Sequence, residues 1–263
     1  AISGVISLLY YWMENPPGTL LGNYNAPSPA MAKAYLMAHP TYLTGVDGNG
    51  DLPTNDQGYG MPNMSLMFDD TLKFADDQVT LFDNTGEDWT WVGSAADPSK
   101  PVRIAMAYTD EAGAVGTSPQ VNNLDLTVET GGNTYLGNVF SGQFSTTGGS
   151  PDAANNYEAV FFDVGTASDL TITVSAMNIA GDGVPNVGDA TDQDFAIVCY
   201  NCGQDPTFSL QVDNSSLEVC TPDDAVYNLD VNSILGFTDD VTLSVNNVPV
   251  GATSNFDTNP VTP

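Results

Sequence analysis

The spacing of apolar positions changes twice along the chain. Residues 1–13 are apolar at almost every position, and the polar side chains before Tyr10 are only the small Ser3 and Ser7. Such a segment is expected as a helix covered by protein on every side. Glu14, Asn15, Pro16 and Pro17 end it well short of the roughly 20 residues of a membrane span, and it lacks the basic leader of a signal peptide. A chain opening inside a buried helix is expected to be an interior piece of a larger protein. Its last residues, 241–263, read as strands and turns without a closing element. After a loop rich in Pro, Gly and Asn, Ser28 precedes Pro29, pairing a side-chain cap with a proline at the first helical position. Residues 30–38 are mostly strong helix formers, and Pro40 stops them.

From about residue 70 the period shortens to two. The spacing predicts strands over 79–82, 102–108, 124–128, 159–164, 170–174 and 195–200, separated by Gly, Asn and Asp turns with no helical pattern between them. That succession argues for an antiparallel jelly-roll sandwich. Beyond residue 203, strands are expected over 208–212, 225–231 and 241–245. That stretch is shorter than the about 100 residues of a whole immunoglobulin-like sandwich, so it is expected as a partial module. The chain thus divides into a helical segment (1–70), a sandwich (71–202) and a partial β module (203–263).

Composition narrows the partners. The chain has 263 residues, with 4 Lys+Arg against 33 Asp+Glu and a net charge of −29. Lys33, Lys73, Lys100 and Arg103 are too few and scattered to track phosphates, which excludes nucleic acid and disfavours an anionic membrane surface. The acidity suits either solubility in a saline medium or oxygen ligands for hard cations such as calcium.

A Ser/His/Asp triad needs an imidazole, and the sequence has one, His39, at the end of the helix begun at Ser28. There it is expected to bond the last free carbonyls of that helix. No phosphate-binding glycine loop is present. Cys199, Cys202 and Cys220 lack a fourth zinc ligand unless His39 or an acid from another segment supplies it. A disulfide is expected between Cys202 and Cys220, which flank the strand at 207–212, worth about 3 kcal/mol for such a loop; the spacing leaves Cys199 to Cys220 open as well. A structural disulfide implies an exported protein.

Asp47-Gly48-Asn49-Gly50-Asp51 opens like an EF-hand loop, but Leu52 and Gly58 break the signature, so a solvated turn is expected. A second set of oxygens is distributed over predicted strand ends: Asp110, Asn122, Asn123, Asp125, Asn138, Asn155, Asn156 and Glu158. If one rim gathers them, a hard cation would relieve their repulsion. Asp110, Asn123, Asp125, Asn138, Asn156 and Glu158 are the candidate calcium ligands. The plainer alternative is a series of Asx turns.

Several motifs resemble the subtilisin-like serine peptidases. Ala1-Ile2-Ser3-Gly4-Val5-Ile6-Ser7-Leu8-Leu9 looks like the continuation of the buried helix opened by that family's nucleophile motif, Gly-Thr-Ser-Met-Ala-x-Pro. Ser28 to Met37 resembles the next helix, and Asp56-Gln57-Gly58-Tyr59-Gly60-Met61-Pro62-Asn63 the segment that closes the catalytic domain. Val121-Asn122-Asn123-Leu124-Asp125-Leu126, Tyr135-Leu136-Gly137-Asn138 and Asn155-Asn156-Tyr157-Glu158 resemble the jelly roll that follows the catalytic domain in large bacterial subtilases, related to the P domain of proprotein convertases.

The resemblance implies a secreted bacterial endopeptidase, with protein or peptide substrates, a jelly roll that often holds calcium, and intramolecular packing of that domain on the catalytic one. The triad and oxyanion motifs are not in this chain, so no catalytic residue is assigned and the fragment alone is expected to be inactive. Ser3 and Ser7 are read as small packing residues. The rival reading is a non-enzymatic calcium-dependent adhesion or carbohydrate-binding sandwich, with Trp89 and Trp91 on one strand face as a sugar platform, although such a pair more often packs a core or an interdomain seam.

Overall fold

Helix α1 (Ile2–Glu14) is followed by strand β1 (Leu20–Asn23), helix α2 (Pro29–Ala38), the short strands β2 (Pro40–Thr41) and β3 (Met61–Pro62), and one turn of helix, α3 (Met64–Met67). The strands β4 (Lys73–Phe82), β5 (Asp88–Ala95), β6 (Val102–Ala107), β7 (Asn123–Thr130), β8 (Asn133–Leu136), β9 (Phe140–Ser141), β10 (Phe144–Ser145), β11 (Tyr157–Phe162), β12 (Asp169–Asn178), β13 (Gln193–Tyr200) and β14 (Cys202–Gly203) come next, then β15 (Thr207–Val212) and β16 (Leu229–Ile234). The computed structural model describes residues 1–116, 119–188, 190–204, 207–213, 216–220, 224–234, 237–249 and 251–263. Two compact units result, Ala1–Gly203 and Gln204–Pro263, so the helical segment and the strands of 71–202 share one unit rather than dividing near residue 70.

Two five-stranded sheets, ordered β1-β4-β13-β6-β11 and β14-β5-β12-β7-β8, face each other without closing into a barrel. All their pairings are antiparallel except that of β1 with β4. Alternation in β6 shows how the layers form. Ile104 and Met106 enter the core between the sheets, while Ala105 and Ala107 face the helices. In β13 all eight residues are buried, with Phe195, Ile197 and Cys199 on one face and Ala196 and Val198 on the other. Alanines at 75, 105, 107, 159 and 196 leave room for α2, whose Ala30, Met31, Ala34 and Tyr35 fill the same cluster.

Helix α2 begins as its sequence requires: Ser28 Oγ accepts from Met31 N at 2.9 Å, with Pro29 at the first position. Helix α1 departs from the expectation of burial all round. Leu9 and Met13 are buried, but Ile2, Leu8, Tyr10 and Tyr11 are 48%, 52%, 44% and 68% exposed. Ser7 Oγ donates to Ser3 O within that helix. Among the described residues no helix is long and apolar enough to cross a membrane.

Several strands outrun the local pattern. β4 starts at Lys73 rather than 79 because its acids have partners. Asp76 Oδ1 accepts from Asn23 N at 2.8 Å, and the two carboxylate oxygens of Asp77 accept from Ser28 N and Oγ at 2.8 and 2.6 Å. β8 was not expected as a strand, and β5 was read as one only through the shared face of its tryptophans. β5 carries Trp89 and Trp91, and these pack between the sheets against Phe74 rather than forming an exposed platform, with the Trp91 and Phe74 rings 4.9 Å apart. In the second unit β15 and β16 pair antiparallel, and the strand expected at 241–245 is reduced to a bridge between Val241 and Val261.

The close fit of α2 to its sheet gives a test. Ala105→Leu should destabilise the protein by about 1–3 kcal/mol through overpacking, read as a lowered urea midpoint. An unchanged midpoint would mean the helix is not seated against this face.

Candidate metal centre

Edge strands of the two sheets meet at one corner, β11 from the first and β8 from the second. The residue pattern of β11 puts Val160 and Phe162 between the sheets, and Glu158 shares their face. Its Oε2 accepts from Leu126 N of β7 at 2.8 Å, while Oε1 is buried without a partner. Gly137, just after β8, lies so close that a Cβ there would sit 1.9 Å from Glu158 Oε2. Only glycine leaves this cradle open.

Asn138 follows in a left-handed conformation, φ 61°, which asparagine tolerates better than most residues. It stitches the corner: its N donates to Ala159 O at 3.0 Å, its Oδ1 accepts from Ala159 N and from Tyr59 OH, and its Nδ2 donates to Tyr157 O and Asp152 Oδ2. Asp152 also accepts from Asn155 Nδ2 at 2.7 Å, and its second oxygen accepts from Ala154 N. Asp125 of β7 is buried and accepts from Asn123 Nδ2 at 2.9 Å.

Burial pushes the Glu158 carboxyl up to about 9. The Leu126 hydrogen bond opposes the shift, and the charges of Asp125 and Asp152 add to it. Burial likewise raises Asp125, offset by Asn123 and reinforced by Asp152. A carboxyl so placed either keeps its proton or takes a cation in its stead. The donor set, carboxylates with amide oxygens, suits a hard cation such as calcium, whose charge would neutralise the corner. Among the described residues no three His, Cys, Asp or Glu side chains already converge as a metal cage. Glu158, Asp125 and Asp152 therefore do not form a ready cage, and a cation at Glu158 would rest on that carboxyl and on neutral oxygens.

Of the six expected ligands, Asn123 is bonded to Asp125 and Asn138 to the backbone on either side of Glu158, while Asp110 and Asn156 are engaged elsewhere. Asp110 is occupied in holding its loop, accepting from Val121 N at 2.7 Å and Asn122 N at 2.9 Å. Asn156 Oδ1 accepts from the Lys33 ammonium at 3.1 Å, a place already cationic. Asp152 was missed; its signal was the Pro151-Asp152 turn three residues before Asn155. Asp51 accepts from Gly142 N at 2.6 Å, so the 47–51 segment is a loop anchor.

The disulfide also differs from expectation. Cys202 is bonded to Cys199, Cα atoms 5.6 Å apart, and not to Cys220, which is exposed and free. Asn201, at φ 64°, turns the chain so that both sulfurs enter the core between the sheets. His39 meets its expectation at the helix end, with Nδ1 2.7 Å from Tyr35 O. Burial drives its pKa down to about 3, against the Tyr35 hydrogen bond, so the ring is neutral. The chain matches no protein-family model and no curated protein.

The corner carboxyl has a pH signature. Folded Glu158 holds its proton up to about 9, whereas an unfolded glutamate releases it near 4.5, so in EDTA its contribution to stability is lost as pH rises through that window. Glu158→Gln should flatten the fall in urea midpoint relative to the unsubstituted chain. Millimolar calcium should flatten it in the unsubstituted chain by replacing the proton. Parallel pH profiles for the two proteins in EDTA would contradict the assignment.

Proposed function

We propose that the chain is the calcium-held C-terminal portion of a secreted subtilisin-like serine endopeptidase. In this reading residues 1–70 complete the helical layer of the catalytic domain, the two facing sheets are a jelly roll that covers and stabilises it, and residues 203–263 begin a further, immunoglobulin-like β module.

The observation that carries the reading is α1. Its inner side, Leu9 and Met13 with Val5, Ile6 and Trp12, joins the core beneath the first sheet, while Ile2, Leu8, Tyr10 and Tyr11 stand in solvent. A helix apolar all round is stable where protein covers both sides. The outer cover is supplied, in this reading, by the remainder of the catalytic domain.

The residues at hand agree with chemistry performed elsewhere. A serine nucleophile needs a base that takes its proton near neutral pH. His39 is fully buried, stacked on Tyr35 and, with its pKa down at about 3, unsuited to that task. The contribution of this portion is stabilisation: a cation bound by the folded state only shifts the folding equilibrium toward it by mass action. Protein or peptide substrate meets the parent enzyme through the triad-bearing residues.

The decisive experiment restores the coding sequence upstream of Ala1. The extended protein should hydrolyse casein and be labelled by a fluorophosphonate on a serine ahead of Ala1, while the 263-residue chain alone does neither. Labelling of the 263-residue chain itself, or an upstream sequence without the Gly-Thr-Ser motif, overturns the proposal.

A further inference from the structure

Lys33 is at odds with the rest of a chain that carries 33 acids. It is half-buried at the middle of α2, and no carboxylate is bonded to it. Among the described residues the one ion pair joins Lys73 to Asp69. Lys33 instead donates to the neutral amide oxygen of Asn156 at 3.1 Å, and its ammonium lies 4.0 Å from the centre of the Tyr157 ring. Burial lowers its pKa without the opposition that Asp69 offers at Lys73. An ammonium has more donors than these contacts use, and a cation drawn from water without a counter-charge is costly.

Among the described residues Lys33 is common to the walls of two clefts, of about 460 and 490 Å³. The first wall includes Asp110 and Glu111. None of the described residues in the second is acidic, and its apolar surface comes from Leu36, Met37, Pro53, Tyr59 and Tyr157. Leu36 and Met37 follow Lys33 by three and four positions and so share its side of α2.

This second cleft is preformed. The loop that supplies Pro53 is closed by paired bonds between Thr54 and Gly58, at 3.0 and 2.8 Å, and anchored by Leu52 N donating to Gly142 O at 3.0 Å. Tyr59 is fixed by its hydroxyl, which donates to Asn138 Oδ1. Small-ligand sites are hollows of about 300–1,000 Å³, mostly apolar, with a few polar groups that set orientation. Here the orienting group is a lone cation beside aromatic rings. A phosphate favours several donors or a helix N-terminus, whereas one ammonium matches one carboxylate. The net charge of −29 repels anions at long range, so a carboxylate that binds does so through local contact.

We propose that the cleft between α2 and the 53–59 loop binds an apolar monocarboxylate, its charged end on Lys33 Nζ and its body against Leu36, Met37, Pro53 and the rings of Tyr59 and Tyr157. A free hydrophobic acid and the C-terminal residue of a peptide both present this chemistry. The assignment stands on these residues alone and does not require the peptidase reading.

The test is titration of the full chain, followed by heteronuclear NMR at about 150 mM salt, with 3-phenylpropionate, the peptide Gly-Gly-Phe and the C-terminal amide of that peptide. At least one of the two carboxylates should bind saturably and shift the ring signals of Tyr59 and Tyr157; the tighter of them identifies the source. The amide should bind about tenfold more weakly than the peptide acid, the loss expected for one charge-assisted hydrogen bond, if the peptide is the tighter ligand; if the free acid is, 3-phenylpropionamide takes the amide's place. Lys33→Met keeps an apolar stem along α2 and should abolish the preference for acid over amide while remaining folded by circular dichroism. Should it unfold, the Lys33 Cε signal of the unsubstituted chain decides, since the acid should shift it and the amide should not. Absence of saturable binding by either carboxylate, equal affinity for acid and amide, a preference surviving in folded Lys33→Met, or a Lys33 Cε signal unmoved by the acid overturns the proposal.

Discussion

The apolar seat of the helical layer on its sheet is reinforced by the few positive charges of a very acidic chain, three of which lie there. Lys73 is completely buried at the start of β4, donating to the Asp69 carboxylate at 2.7 Å and to the carbonyls of Asp69 and Thr71, with the rings of Tyr200 and Trp12 around it. Burial lowers its pKa, and the Asp69 hydrogen bond works against that. Arg103 of β6 reaches Pro40 O just past α2 and lies over Phe161. Lys33 of α2 lies over Tyr157 of β11. Desolvated cations over aromatic faces each contribute up to about 2 kcal/mol, and here they join β4 to α1 and β11 to α2, and also β4 to β13 and β6 to β11.

That arrangement commits Lys33, Lys73 and Arg103 to the helix-facing side of the first sheet, and the consequence appears at carboxylates that none of them pairs with. The first sheet is buried on both faces, so an acid at a strand end has either water or protein around it, and no lysine to meet it. Asp76, Asp77 and Asp110 resolve this by accepting backbone N–H groups. Glu158, Asp192 and Asp194 resolve it only in part, each keeping one oxygen without a partner. Such an oxygen is where a proton or a cation changes the energetics most, because its charge acts where solvent screening is weak.

Local pattern accounted for much of the fold. The proline-led cap of α2, the period of two in β6, β12 and β13, and the mostly β class all follow from nearest-neighbour chemistry. Of the corner, Asn123, Asp125, Asn138 and Glu158 were legible as oxygens at strand ends. Asp152 was passed over, since its one signal, a Pro-Asp pair three residues before Asn155, is weak in a chain with 33 acids. The early start of β4 through Asp76 and Asp77 was equally hidden, because residues more than forty positions away supply their partners.

By itself, then, the sequence determined which segments alternate, where α2 begins, and that positive charge is scarce. Tertiary structure decided that Cys199 rather than Cys220 meets Cys202, that Asp110 and Asn156 serve loops and a lysine, and that α1 is covered on one side only. The division has a physical cause. Periodicity and capping act over a few residues and are written into neighbouring side chains, whereas desolvation and the pairing of charges depend on what distant segments bring to the same point.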